Sequence, residues 1–205
     1  MLASQAVAAD EPLHRAAAAG DVVSIERLRD QGADPNVRDD SGRTALHLAA
    51  AAGHREAVMA LVRRGADVQA YDEQHIDALT VAAEKGDADM ISLLLWLGAD
   101  PGAVTGPDDR SALIVAARGH HAAIVRELAA AGAPVNRVGG LGWTALMEAV
   151  IFGDNSTRTV ETVRALLDAG AKPRFRDWQG TTPLRLANLL GYDDVAALLI
   201  AAGAD

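Results

Sequence analysis

The sequence predicts an all-α protein, a solenoid of six stacked helix pairs. A leucine followed by a helical stretch recurs six times, at spacings of 33, 33, 34, 33 and 38 residues. A Gly-Ala pair keeps step with it, 19 residues after each leucine except in the fifth unit, where the distance is 24. Alanine, the strongest helix former, supplies 44 of 205 residues, whereas aromatic residues are only 3%. A period of roughly 20–50 residues in helical sequence is typical of a repeat array.

The second unit shows the elements of each repeat in order. A polar turn over 39–42 precedes an apolar stretch that predicts a first helix, which Gly53 ends because glycine tolerates the left-handed conformation found there. Val58, Leu61 and Val62 share one face of a second helix. The same pattern predicts first helices at 12–19, 45–52, 78–85, 112–118, 145–152 and 183–190, and second helices at 22–31, 55–63, 88–96, 122–130, 158–168 and 193–201.

Short motifs recur in these units. The second carries Asp39-x-x-Gly42-x-Thr44-Ala45-Leu46-His47 and Gly65-Ala66-Asp67-Val68, the last carries Thr182-Pro183-Leu184, and the first carries Pro12-Leu13-His14. With these motifs the units resemble the ankyrin repeat. The resemblance implies an α-solenoid of six stacked ankyrin repeats, with β-turn fingers that project from the helix pairs. It also implies a non-enzymatic protein that binds partners through its finger tips and first helices. We expect one domain over 10–205, with repeats at about 10–38, 39–71, 72–105, 106–138, 139–176 and 177–205.

Three departures from the repeat pattern carry further predictions. In the third unit His75 stands where the turn glycine belongs, which predicts a distorted finger. In the fourth unit Gly119 comes one residue early, so His120 has to take the left-handed conformation. The fifth unit inserts five residues near Asn155, and insertions in repeat arrays form loops that often contact partners.

No catalytic or metal-binding pattern is apparent in the sequence. There is no cysteine, and the adjacent His120 and His121 would point in different directions on a helix. His14 and His47 occupy the Leu-His position of the resembled family, where histidine hydrogen-bonds the neighbouring loop. We therefore predict no enzyme, no cofactor and no metal. The net charge of −9 argues against general nucleic-acid binding, and no apolar run reaches the ~18 residues of a membrane span.

The predicted partner-binding residues lie in the fifth and sixth units, where positions that should be polar on a purely structural surface are apolar. Five of the seven aromatic residues of the chain also lie beyond residue 140. We expect Trp143 and Trp178 to lie at equivalent faces of adjacent fingers and to anchor a protein partner. Alternatively, some of these side chains fill the seam between fingers and helices or cover the C-terminal end. The predicted set is Leu141, Trp143, Ile151, Phe152, Arg176, Trp178, Leu189 and Leu190.

The function expected from these features is that of a monomeric, non-catalytic protein-interaction module that scaffolds, inhibits or protects a protein partner. Two alternatives stay open: a secreted effector acting on a host protein, and a scaffold that carries an unrecognised enzymatic activity. The alanine-rich, stand-alone repeat chain looks bacterial. Residues 1–9 resemble the tail of a signal peptide, with Ala6-Val7-Ala8 as its cleavage site. That interpretation predicts a periplasmic or secreted protein; without it we expect a cytoplasmic one.

Overall fold

The structure, a computed structural model, describes residues 12–205. Helix bounds agree with the sequence prediction to within one residue, and the described part of the chain contains no strand, only the isolated bridges Thr105–Arg110 and Val138–Thr144. The predicted all-α fold class is therefore confirmed. The signal-like segment 1–9 lies outside the described residues. The helices are α1 (residues 12–19), α2 (Val22–Asp30), α3 (Ala45–Ala51), α4 (Arg55–Arg63), α5 (Ala78–Lys85), α6 (Ala88–Trp96), α7 (Ala112–Arg118), α8 (Ala122–Ala130), α9 (Ala145–Ile151), α10 (Thr157–Asp168), α11 (Pro183–Leu190) and α12 (Asp193–Ala201).

The first helices of the third to sixth repeats each follow a polar residue whose side chain caps them. Thr182 accepts a hydrogen bond from the Arg185 backbone N–H at 3.2 Å, and Pro183 follows in the first turn, where its missing N–H costs nothing. In the third repeat Asp77 replaces the threonine and accepts from the Thr80 N–H at 2.7 Å. The cap thus survives the substitution, because both side chains present an oxygen at the same place.

The chain divides into two compact units, of which unit 1 ends at Asp100. In the described part of unit 1, α3 packs against α5, the first helix of the next repeat, and against α4, the second helix of its own repeat. The largest fully buried side chains include Leu46, Leu61, Leu79 and Leu94, each at 1% exposure or less. The predicted role of the Leu-His histidine is confirmed: His47 donates from Nε2 to the Ile76 carbonyl at 3.0 Å and so ties the second repeat to the third finger.

The third finger is not distorted, and the prediction that it would be is wrong. Asp72 accepts hydrogen bonds from two backbone N–H groups of its finger, those of Gln74 and Ile76, both at 2.9 Å. Asp39 makes the same pair of bonds in the second finger. His75 adopts the left-handed conformation with φ of +60° and stacks on Tyr71, with ring centroids 4.1 Å apart. Histidine therefore replaces the glycine without changing the turn.

Unit 2 comprises residues 101–205 and forms two helical layers. The first helices α7, α9 and α11 pack side by side, and the second helices α8, α10 and α12 form the layer behind them. His120 takes the left-handed conformation as predicted, with φ of +56°, and its Nε2 donates to the Ala149 carbonyl at 3.1 Å. This bond ties the fourth repeat to the fifth.

The insertion in the fifth repeat is divided between a loop and a helix. Helix α10 has 12 residues where α8 has 9, and the remaining extra residues lengthen the turn before it. Asn155 in that turn has φ of +56° and accepts a hydrogen bond from the Val195 N–H at 3.4 Å. The Tyr192 hydroxyl donates to the Gly153 carbonyl at 2.5 Å. The inserted turn therefore packs against the beginning of α12.

Candidate functional site

The fingers and first helices of unit 2 form what we call the front surface of unit 2, residues 101–119, 134–152 and 172–191. Among residues 12–205, nine large apolar side chains are exposed, and six of these belong to this surface. The corresponding surface of unit 1, residues 12–20, 34–52 and 67–86, contains none of the nine. Such a concentration of apolar side chains is typical of a binding site on a folded protein.

Most of the predicted partner-binding residues are accessible. Trp178 and Leu189 are each 72% exposed, and Leu190, Leu141 and Phe152 are between 41% and 45% exposed. Arg176 is also exposed, whereas Trp143 and Ile151 are only half-buried. The structure thus provides an apolar surface at the predicted positions; its use as a binding site stays a prediction.

The two tryptophans do not occupy equivalent positions, and the prediction that they would is wrong. Trp143 follows the tip glycine of its finger, and its carbonyl accepts a hydrogen bond from the Gly139 N–H at 2.9 Å. Trp178 instead lies two residues before its tip glycine, Gly180. Its indole lies over the neighbouring tip, where a Cβ added to Gly142 would be 2.7 Å from Trp178 Cδ2. Of the two side chains, Trp178 is 72% exposed, whereas Trp143 is half-buried.

Backbone contacts hold the fingers of unit 2 to one another. The Gly140 N–H donates to the Asp108 carbonyl at 2.6 Å, and a side chain at Gly140 would bring its Cβ to 3.0 Å from that oxygen. Gly142, with φ of +82°, leaves room for the Trp178 ring. The glycines of this finger thus permit the close stacking that places Leu141 and Trp178 on neighbouring tips.

On the first helices, three side chains form a cluster of unlike chemistry. The Arg118 guanidinium lies over the Phe152 ring, with Cζ 3.8 Å from the ring centroid, a cation–π contact. Its Nη1 is 4.0 Å from Glu148 Oε2. The Glu148 side chain is 3% exposed, and its Oε2 is buried without a hydrogen-bond partner. Burial raises the pKa of this carboxyl, although the charges of Arg118 and Arg110 act in the opposite direction.

Sequence reasoning missed this cluster, although the sequence holds a signal for it. Glu148 lies two residues after the repeated leucine of its unit, a position that Leu48, Val81, Val115 and Leu186 fill in four other units and Arg15 in the first. An acid among mostly apolar equivalents indicates a special environment. Four further exposed apolar residues were also not predicted: Val138 at 38%, on the front surface of unit 2, Ile200 at 57%, on α12, and Val23 at 80% and Trp96 at 77%, on α2 and α6 of unit 1.

The described residues also bear on metal binding and on membrane insertion. Within 12–205, no three His, Asp or Glu side chains are grouped so that they could hold a metal ion. His47, the most buried histidine of its repeat, is occupied by hydrogen bonds to Thr44 and Ile76, and burial lowers its pKa. In the same part of the chain, no helix combines the length and the apolar character that a membrane span needs.

Comparison with known proteins agrees with this architecture. The family model of ankyrin repeats (3 copies) matches residues 13–104 and 79–173. The chain is 40% identical to an ankyrin repeat domain from Acinetobacter baumannii whose crystal structure superposes with a TM-score of 0.88, covering 95% of this chain and 98% of that one. It is 44% identical over 85 residues to the ankyrin repeat protein YahD of Escherichia coli K12, covering 41% of this chain and 42% of YahD.

A third relative is named as a regulatory subunit. Protein phosphatase 1 regulatory subunit 27 of Homo sapiens is 44% identical over 64 residues, which are 31% of this chain and 38% of the human protein. The chain thus spans less than half the length of these curated relatives. Since the family model covers most of the chain and the bacterial domain matches nearly all of it, the protein belongs to the ankyrin-repeat family. Proteins of this class are interaction modules, and the fold is generally non-enzymatic.

Proposed function

We propose that this protein binds a protein partner through the front surface of unit 2 and thereby scaffolds, inhibits or protects that partner. The observation that carries the proposal is the exposure of Trp178 and Leu189, which at 72% each are the most exposed large apolar side chains of unit 2. Tryptophan is enriched among the residues that dominate interface energies, and an exposed leucine extends the area that a partner would cover.

One relative supports a binding role, and two others support a bacterial origin. The human relative is named as a regulatory subunit, which favours a module that acts on another protein. YahD and the Acinetobacter domain are bacterial and share 44% and 40% identity with this chain over the matched residues. The secreted effector, which would act on a host protein, remains the second candidate only through the signal-like residues 1–9.

Affinity capture from extracts of the producing cells tests the proposal. The wild-type chain is compared with the double variant Trp178→Ala, Leu189→Ala and with a matched control, Trp96→Ala. Trp96 is 77% exposed but lies on unit 1, outside the proposed surface. We expect the double variant to lose its partner and Trp96→Ala to retain it, with unchanged circular dichroism in both. Equal capture by all three proteins would place the binding site elsewhere.

A further inference from the structure

The two sides of unit 2 carry opposite charge. Its front surface holds seven Arg or Lys residues and four Asp or Glu residues, whereas its remaining segments, 120–133, 153–171 and 192–205, hold three and seven. The front surface of unit 1 has the reverse balance, with four basic and eight acidic residues in its segments. The basic surface therefore coincides with the apolar one, and both are specific to unit 2.

Cations alternate with apolar side chains on this surface. On α11, Arg185 and Leu189 are one helical turn apart, and both line a depression of about 330 Å³ together with Leu184, Asn188 and the acidic Asp205. On the sixth finger the exposed Arg176 is two residues from Trp178, and its Nη1 donates to the Gly180 carbonyl at 3.1 Å within that finger. Leu189 and Trp178, the two most exposed apolar residues of the surface, thus each have a cation close by in sequence, on the same helix or finger.

Arg118 combines an aromatic contact with an accessible guanidinium. Its Cζ lies 3.8 Å from the centroid of the Phe152 ring, while its side chain remains 41% exposed. A planar guanidinium beside an aromatic face keeps N–H groups that suit a carboxylate binding through both oxygens. Phe152 is itself 41% exposed, so a carboxylate at Arg118 would have apolar surface next to it.

Glu148 does not form a hydrogen-bonded ion pair with Arg118. The distance of 4.0 Å between Nη1 and Oε2 is beyond hydrogen-bonding range, and that oxygen has no hydrogen-bond partner. Burial also disfavours the ionised form of this carboxyl. Glu148 therefore does not occupy the N–H groups of Arg118.

We propose that the front surface of unit 2 binds an acidic protein segment with apolar anchors, and that Arg118 receives one of its carboxylates. This inference rests on the proposed function and specifies the chemistry of the partner. The charge balance of the surface, the apolar residues beside its cations and the contact of the accessible Arg118 with Phe152 all favour Asp or Glu next to Leu, Phe or Trp in the bound segment.

Selection from a random peptide library, displayed on phage and panned against the full chain, tests this directly. We expect enriched peptides that combine acidic and apolar residues. By fluorescence anisotropy, Arg118→Met should weaken the best peptide about tenfold or more, as expected for a lost charge-assisted hydrogen bond. Arg118→Lys keeps the charge but loses the planar guanidinium, so its affinity should lie between those of the wild type and Arg118→Met. The matched control Arg126→Met removes the same charge from exposed α8 and should leave affinity unchanged.

A double-mutant cycle identifies the contact. If a peptide carboxylate pairs with Arg118, replacing that Glu by Gln weakens binding to the wild-type chain but adds no further loss in Arg118→Met. Equal losses in both backgrounds would overturn the role of Arg118, even if the variant were partly destabilised. If the enriched peptides are basic or uncharged but their binding still requires Trp178 and Leu189, the proposal of an acidic segment is wrong and the proposed function stands. Peptides indifferent to Trp178 and Leu189, or no enriched peptide at all, would contradict both.

Discussion

Replacing Glu148 by leucine should stabilise the protein. The side chain is 3% exposed, and Oε2 lacks a hydrogen-bond partner, an arrangement that costs about 1–3 kcal/mol. Leu48 and Leu186 show that leucine is accommodated at the same repeat position in the second and sixth units. The loss of the partly exposed ion pair with Arg118 removes about 0–1 kcal/mol. We expect a net gain of about 1–2 kcal/mol at pH 7, equivalent to roughly 2–8 °C in melting temperature for a chain of this length.

The pH dependence provides a second test of the same reasoning. Because burial raises the pKa of Glu148 above its usual 4.5, the native state binds this proton more tightly than the unfolded state does. The wild-type protein therefore recovers stability from this group as the pH falls through the raised pKa, and Glu148→Leu does not. The advantage of Glu148→Leu should shrink between pH 7 and pH 4.5 in urea denaturation. A variant that is less stable than wild type, or an advantage that does not change with pH, would show that Glu148 is satisfied and ionised.

Three further predictions concern single residues. Leu46→Ala should cost about 2–5 kcal/mol in urea denaturation because Leu46 is 1% exposed, and an unchanged midpoint would contradict its burial. Burial lowers the pKa of His47 below its usual 6.5. The stability that its neutral ring contributes is therefore lost as the pH falls through that lowered pKa. An NMR titration midpoint of His47 at or above 6.5 would argue against this. Gly142→Ala should cost about 1 kcal/mol and change Trp178 fluorescence, because its φ is +82° and the new Cβ would meet the indole at 2.7 Å; unchanged emission would refute the stacking.

The helices could be predicted closely because their signals are local and repeat along the chain. The cap residues, the repeated leucine and the Gly-Ala pair fix each helix pair independently of the others. The third finger was predicted wrongly because His75 was judged by its departure from glycine. In the structure its ring stacks on Tyr71, which helps it to hold a left-handed conformation that histidine tolerates better than most residues.

The candidate surface could be predicted only in outline. Exposed apolar positions follow from the repeat register, and five of the eight predicted residues are exposed large apolar side chains. The cluster of Arg118, Phe152 and Glu148 could not be derived in this way, because it depends on which side chains meet across neighbouring helices. The inequivalence of Trp143 and Trp178 was readable from their positions relative to Gly142 and Gly180.

Site-specific photo-crosslinking tests most directly whether the front surface of unit 2 holds the partner. A photoreactive phenylalanine derivative is placed at position 178, at position 189 or, as a control, at position 96, and each protein is irradiated in extract of the producing cells. All three positions carry side chains at least 72% exposed, so accessibility alone cannot explain a difference. We predict the same crosslinked protein from positions 178 and 189 and none from position 96. A partner crosslinked from position 96 but from neither position in unit 2 would contradict the account.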